Sequence, residues 1–167
     1  MCCSKIMSDK HIEIGKSIVM LYPEYDTNIV CIELNASLVF VDSGRRFDAA
    51  KKFREDMERK FGKTTSHLFL THYHFDHYGG MSAFKDVEII AAKEGYDEYM
   101  SSIKRNTKER RLAMIEHSKR RIEESGDDIR PELKIHWKYY PIADFYEPTK
   151  TVEKTFEYGD ETRKVKC

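Results

Sequence analysis

Thr71-His72-Tyr73-His74-Phe75-Asp76-His77-Tyr78-Gly79-Gly80 is the stretch that decides how this chain is read. Three of the chain's seven histidines and one aspartate fall within six positions. The apolar run His67-Leu68-Phe69-Leu70 leads in, and two glycines lead out. The donors are imidazole nitrogens and one hard carboxylate, a mix that suits zinc and tolerates iron or manganese. Side chains two apart on an extended segment point the same way, so His72 and His74 can grip one ion. Asp76 and His77 lie further round the loop and aim at a second position. The loop therefore seeds two neighbouring metal sites. Gly79-Gly80 is expected to let the backbone turn sharply into the next helix. A lone H-x-H is more often a plain surface loop; the longer pattern, set between an apolar strand and paired glycines, favours metal.

Moving upstream, short apolar runs separated by turn residues predict an antiparallel meander over 11–41. The runs are His11 to Ile14, Ser17 to Tyr22, Thr27 to Leu34 and Ser37 to Val41. The last two are apolar enough to be buried on both faces. Asp42-Ser43-Gly44 ends the meander. Phe47, Ala50, Phe53, Met57 and Phe61 then recur at helical spacing, with Asp48 placed to cap the start and Gly62 to end the helix.

Downstream, Met81 to Phe84 reads as a short helix and Val87 to Ala91 as a strand. Residues 93–125 read as helix in two pieces, and Gly126 ends them. The aromatic, proline-punctuated segment 129–150 reads as an ordered loop or lid, and 151–167 as a terminal hairpin. The expected organisation is α/β: a single domain over 1–167, with a core over 11–92 and an insertion over 93–150.

Charge and cysteine content narrow the function. There are 29 basic and 29 acidic residues, so net charge argues for neither nucleic acid nor an anionic membrane. The basic stretch Lys104 to Arg111 is diluted by Glu116, Glu123 and Glu124, and a solvated helix face accounts for it. Nucleic acid is not an expected partner. No window approaches the roughly 20 apolar residues of a membrane span. The first ten residues contain no apolar signal region. Cys2, Cys3, Cys31 and Cys167 form no C-x-x-C pair, so free thiols in the cytoplasm are expected.

Thr71-His72-x-His74-x-Asp76-His77-x-Gly79-Gly80 resembles the signature of the metallo-β-lactamase superfamily, with its glyoxalase II-like and lactonase-like members. The strands ending in Asp42-Ser43-Gly44 and the helix after them resemble the same family, and the likeness runs over about 17–92. It implies an αββα sandwich of two similar halves and a hydrolase acting on a small-molecule ester, thioester, lactone or phosphoester. His72 and His74 would hold a first zinc, and Asp76 and His77 a second. A metal-bound hydroxide would be the nucleophile, with Asp76 orienting it. Asp42 would stabilise the turn beneath the site.

The resemblance also implies three further ligands downstream: a histidine in a Pro-Gly-His-Thr-like turn, a bridging aspartate and a last histidine. No residue here stands in such a context. His117 reads as a surface residue and His136 as a lid or substrate contact. The chain is thus expected to hold the first half of the fold plus a helical insertion. It is a piece of a longer protein, a natural short form, or a half-domain that covers its sheet with a second copy as a homodimer. Weak metal binding and little hydrolysis are expected of it. The competing reading is a non-catalytic metal-binding or dimerisation module. A redox diiron enzyme fits less well, since such relatives carry glutamate where His74 stands.

Overall fold

Alternating β-branched residues at the start of the chain do pair as a meander. The computed structural model describes residues 9–159, 161 and 163–166. In it β1 (Lys10–Gly15), β2 (Ile18–Tyr22), β3 (Ile29–Glu33) and β4 (Leu38–Val41) run antiparallel in sequence order. Helix α1 (Phe47–Phe61) then carries the chain back across the sheet. That crossover makes the next three pairings parallel. They join β5 (Thr65–Leu70) to β4, β6 (Glu88–Ala92) to β5, and β7 (Lys150–Val152) to β6. The product is one seven-stranded mixed sheet with flanking helices.

The apolar stripe of α1 decides which sheet face it covers. Ala49, Ala50, Phe53 and Met57 are buried against Leu21, Cys31, Phe40 and Leu68. Gly62 closes the helix in the left-handed region (φ 64°), as its position foretold. Asp48 is not the cap. Arg46 occupies that position without a side-chain hydrogen bond, and Asp48 instead accepts from its neighbour Ala49 N and from the distant Tyr139 hydroxyl. β4 is buried on both faces except at its end, whereas β3 buries Ile29 and Cys31 and leaves Val30 and Ile32 half-buried.

The insertion departs further from expectation. Its first part is two helices, α3 (Tyr96–Arg105) and α4 (Lys108–Ser125), broken where Thr107 caps α4 by accepting from Arg110 N. Residues 129–150 are not one loop. Pro131 opens a helix, α5 (Pro131–Tyr139), because its fixed φ suits a first helical position and its missing N–H is not needed there. A 3-10 turn follows at Tyr140–Ile142. The basic stretch is also less exposed than it reads. Arg111 is buried, donates to the carbonyls of Asn106 and Ala143, and lies 4.6 Å over the Phe145 ring.

The terminal hairpin is narrower than 151–167. β8 (Glu157–Gly159) pairs with β9 (Lys164–Lys166), detached from β7. Phe156, Tyr158 and Val165 pack over Leu34, Val39, Phe69 and Ile90 on the face opposite α1. The sheet expected to be uncovered is therefore covered at its centre, while Ile12 and Ile14 at the β1 edge stay exposed. Cys31 is a buried free thiol; Cys2, Cys3 and Cys167 lie outside the described residues. No helix among the described residues is long and apolar enough to cross a membrane.

Candidate metal centre

The four candidate side chains sit just past the C-terminal end of β5, a usual place for chemistry in open α/β sheets. Their support comes from the end of β4. Asp42 adopts φ 60°, a costly conformation for a residue with a Cβ. It is held there because its amide donates to Phe69 O at 2.8 Å and its carboxylate accepts from Thr71 N at 2.9 Å. The same carboxylate meets Thr71 Oγ1 and, at 2.8 Å, His77 Nδ1. A carboxylate can only accept, so His77 carries its proton on Nδ1 and turns the Nε2 lone pair outward.

A second set of ties fastens the loop to the turn after β4. Ser43 N and Ser43 Oγ both donate to His77 O, and Gly80 N donates to Gly44 O at 2.8 Å. Gly80 is required for closeness rather than for a sharp turn. Its φ is −91°, open to any residue, but a Cβ there would stand 2.2 Å from Ser43 O. The residues between form one helical turn, α2 (Phe75–Tyr78).

His72 Nε2 and His74 Nδ1 are 3.1 Å apart, and the His72 and His77 rings are 3.9 Å apart between centroids. The two rings are in direct hydrogen-bond contact, a little inside the roughly 3.4 Å that separates two ligands of a tetrahedral zinc at about 2.1 Å, so both nitrogens are near enough to face one ion once that hydrogen bond opens. His77 Nε2 is 3.5 Å from Asp76 Oδ2. That oxygen also accepts from Thr27 Oγ1 at 3.0 Å and lies 3.7 Å from Arg45 Nη2. Arg45 is anchored in turn by the buried Asp26, through Nη1 at 3.1 Å and its backbone amide.

Electrostatics act on these groups in different directions. Burial, then the neighbouring His77 and His74 rings, lower the pKa of His72, which favours the neutral imidazole a metal needs. Burial opposes charge on His77, but the Asp42 hydrogen bond and the Asp42 and Asp76 carboxylates outweigh it and raise its pKa. Burial likewise opposes the Asp76 carboxylate, yet Thr27, Arg45 and His77 hold its pKa low.

The donor set fits a divalent ion in kind and falls short in number. Among the described residues no three His, Cys, Asp or Glu side chains surround one point as ligands. His117 is exposed on α4. His136 stacks on Tyr140 at 4.7 Å and meets the Phe75 ring edge-on at 5.3 Å, so the insertion rests on the metal loop. Burial lowers its pKa first, and Arg45 and Asp76 act on it too. The sequence reading missed Asp26, Thr27 and Arg45, which position Asp76. Asp26 looked like a break between strands and Thr27 like the start of the next apolar run, and no spacing links Thr27 to a partner 49 positions away.

A chain with this mixed sheet and this loop belongs to the metallo-beta-lactamase superfamily, whose sequence profile matches residues 22–161. Two relatives named metallo-beta-lactamase type 2, from Bacillus sp. (strain 170) and Bacillus cereus, are each 30% identical over 87 residues. That is 46% of this chain and 34% of each relative, so the match spans about a third of their length. A metallo-beta-lactamase structure from Pontibacter korlensis superposes with a TM-score of 0.57 at 10% identity, over 94% of this chain and 58% of that one. One from Hirschia baltica gives 0.50 at 21% identity, over 56% and 48%. These likenesses establish the fold.

Proposed function

We propose that this chain is a metal-dependent hydrolase, or the metal-loop half of one, with zinc as its ion. The observation that carries this is the approach of His72 Nε2 to His74 Nδ1 beside the Asp76–His77 pair, on a loop held by Asp42. His72 and His74 would hold a first ion, and Asp76 and His77 a second. The chemistry zinc would supply there is a water acidic enough to ionise near neutral pH and polarisation of a carbonyl or phosphoryl oxygen. The chain's own residues do the rest. Asp42 keeps the His77 proton on Nδ1. Thr27 and Arg45 fix the Asp76 carboxylate, which orients the attacking water. Ester, thioester, lactone and phosphoester substrates all suit such a site. The free buried Cys31 suits a reducing compartment such as the cytoplasm.

Two protein ligands per ion fall below the three of a typical catalytic zinc site, so binding is weak and hydrolysis slow for this chain alone. Calorimetric zinc titration should show weak binding that His74→Ala removes, and slow hydrolysis of a p-nitrophenyl ester should vanish with it. Zinc binding that survives in a His72→Ala/His74→Ala double variant would overturn the assignment.

A second reading, a non-catalytic metal-binding or dimerisation module, is favoured by the exposure of Ile12 and Ile14 at the sheet edge. Association of two copies there would appear as a dimer in sedimentation at micromolar concentration and vanish in Ile12→Lys. A monomer would remove that reading.

A further inference from the structure

The insertion meets the metal loop through a layer of rings, and a buried arginine organises that layer. Arg111 on α4 is 8% exposed. Among the described residues its hydrogen bonds go to carbonyls. Nη1 donates to Asn106 O at 2.7 Å, and Nη2 to Ala143 O at 3.1 Å and Pro141 O at 3.4 Å. Its Nε has no partner among those residues. The guanidinium lies over two rings, 4.6 Å from the Phe145 centroid and 5.7 Å from that of Tyr140. Taking a charge out of water costs free energy, and these carbonyls and ring faces offset it. The carbonyls belong to the turn between α3 and α4 and to the segment 141–143, so Arg111 fixes where Tyr140 and Phe145 stand.

Those two rings meet the loop. Tyr140 meets Phe75 edge-on at 4.8 Å, and Phe145 meets Phe75 at 6.2 Å and Tyr78 at 5.5 Å. Phe75 and Tyr78 are the first and last residues of α2, interleaved with His74, Asp76 and His77. Phe75 is also pressed against its own turn, since a Cβ on Gly79 would stand 2.7 Å from Phe75 Cε2. A shift of that ring therefore moves the backbone that carries His74 and Asp76, because close-packed rings have no room to absorb it.

We propose that Arg111 is a positioning residue for the metal loop, acting through Tyr140 and Phe145 on Phe75 and Tyr78 to hold the turn that carries His74, Asp76 and His77. What the turn presents to zinc rests on the metal-dependent reading above; the hold on the turn does not.

Amide hydrogen exchange on the metal-free chain, resolved by NMR, tests the hold. Within the turn His77 N and Tyr78 N donate to His74 O, and Gly79 N donates to Phe75 O. Arg111→Met removes the charge and the donors. It should speed exchange at these three amides about fivefold and leave the sheet amides of Leu38 and Asp42, bonded to Thr64 O and Phe69 O, unchanged. Arg111→Lys, which keeps a charge over the rings, should recover part of the protection. Phe145→Leu, at a half-buried position, cuts the same chain of contacts one step on and should reproduce the effect; it carries the test if Arg111→Met does not fold. Arg111→Met added to Phe75→Leu should speed exchange no further than Phe75→Leu alone. Unchanged exchange in the turn, a rise shared equally by the sheet amides, or additive effects in the double variant overturns the proposal. Zinc affinity should fall about fivefold with Arg111→Met. Faster exchange with unchanged zinc affinity would remove the role at the site. If the unaltered chain binds no zinc while the turn still loosens in the variants, the metal reading falls and the hold of Arg111 on the loop stands.

Discussion

The two faces of the sheet are built to different standards. The α1 face buries a continuous cluster in which Phe40, Phe53 and Phe84 are fully enclosed and meet ring to ring at 5.1–5.6 Å. Among the described residues the opposite face buries a smaller apolar cluster, Leu34, Val39, Phe69 and Ile90, with His67 between Phe69 and Tyr158, under a hairpin whose two strands are three residues each. Such a hairpin cannot stand alone in water, so it depends on the sheet it covers. The metal loop is stitched to the α1 face through Ser43, Gly44 and Gly80, next to the buried Ala50. The site therefore inherits its rigidity from one face and is nearly indifferent to the other.

Truncating the rings at the centre of each face is the direct way to break this comparison. Phe40→Ala should destabilise by about 3–5 kcal/mol, as buried Phe truncations do when the cavity cannot collapse. Urea unfolding followed by circular dichroism measures it. Gly80→Ala comes next, at about 2–3 kcal/mol, because its methyl must displace the Ser43 carbonyl and press on Ala50. It should also weaken zinc binding, by moving the loop off its support. Phe156→Ala on the opposite face should cost only about 1 kcal/mol, since Phe156 is half-buried and leans on Phe69 at 5.8 Å. A Phe156 effect equal to that of Phe40 would show that the hairpin carries the fold.

The same contrast explains what could be read before the structure was known. The meander, α1 and the metal loop were legible because each rests on local spacing: period two, period three to four, or a run of ligand residues. β4, β5 and β6 follow one another in sequence and lie side by side, joined by crossovers that carry α1 in the first and α2 in the second. What was hidden depends on contacts between residues distant in sequence. Arg163 pairs with Glu33 from 130 positions away and docks the hairpin on the second face. Arg111 looked like one more surface cation until it was placed under Tyr140 and Phe145. α5 was obscured by Pro131 and a dense run of aromatics, which resemble loop punctuation until the proline falls at a first helical position. At the site the donors were legible in order, while the props of Asp76 were not, because Asp26, Thr27 and Arg45 come from two other turns.

Two glutamates sharpen the comparison with the smallest effect, through pH. Glu58 belongs to the α1 face and ties the end of α1 to the start of β5. It accepts from Thr65 Oγ1 at 2.7 Å, Thr65 N at 3.1 Å and Arg54 Nε at 3.0 Å. Burial raises its pKa, but those bonds outweigh it and leave the value lowered from 4.5. The folded protein thus binds this proton less readily than the unfolded chain. The stabilisation is complete above the unfolded value and is lost as pH falls through the folded one. Glu33 is the counterpart that holds the hairpin. Lys63 lowers its pKa most; burial works the other way, and Arg163 and Ser17 add to the lowering. Its sign is the same, but the hairpin it holds contributes little to the fold and Arg163 is partly exposed to screening water. Between about pH 5 and about pH 3, Glu58→Gln should therefore flatten the loss of stability more than Glu33→Gln does. Urea midpoints across that range decide it. The reverse order would place the acid-sensitive tie on the hairpin face, and the division between a supporting face and a dispensable one would not hold.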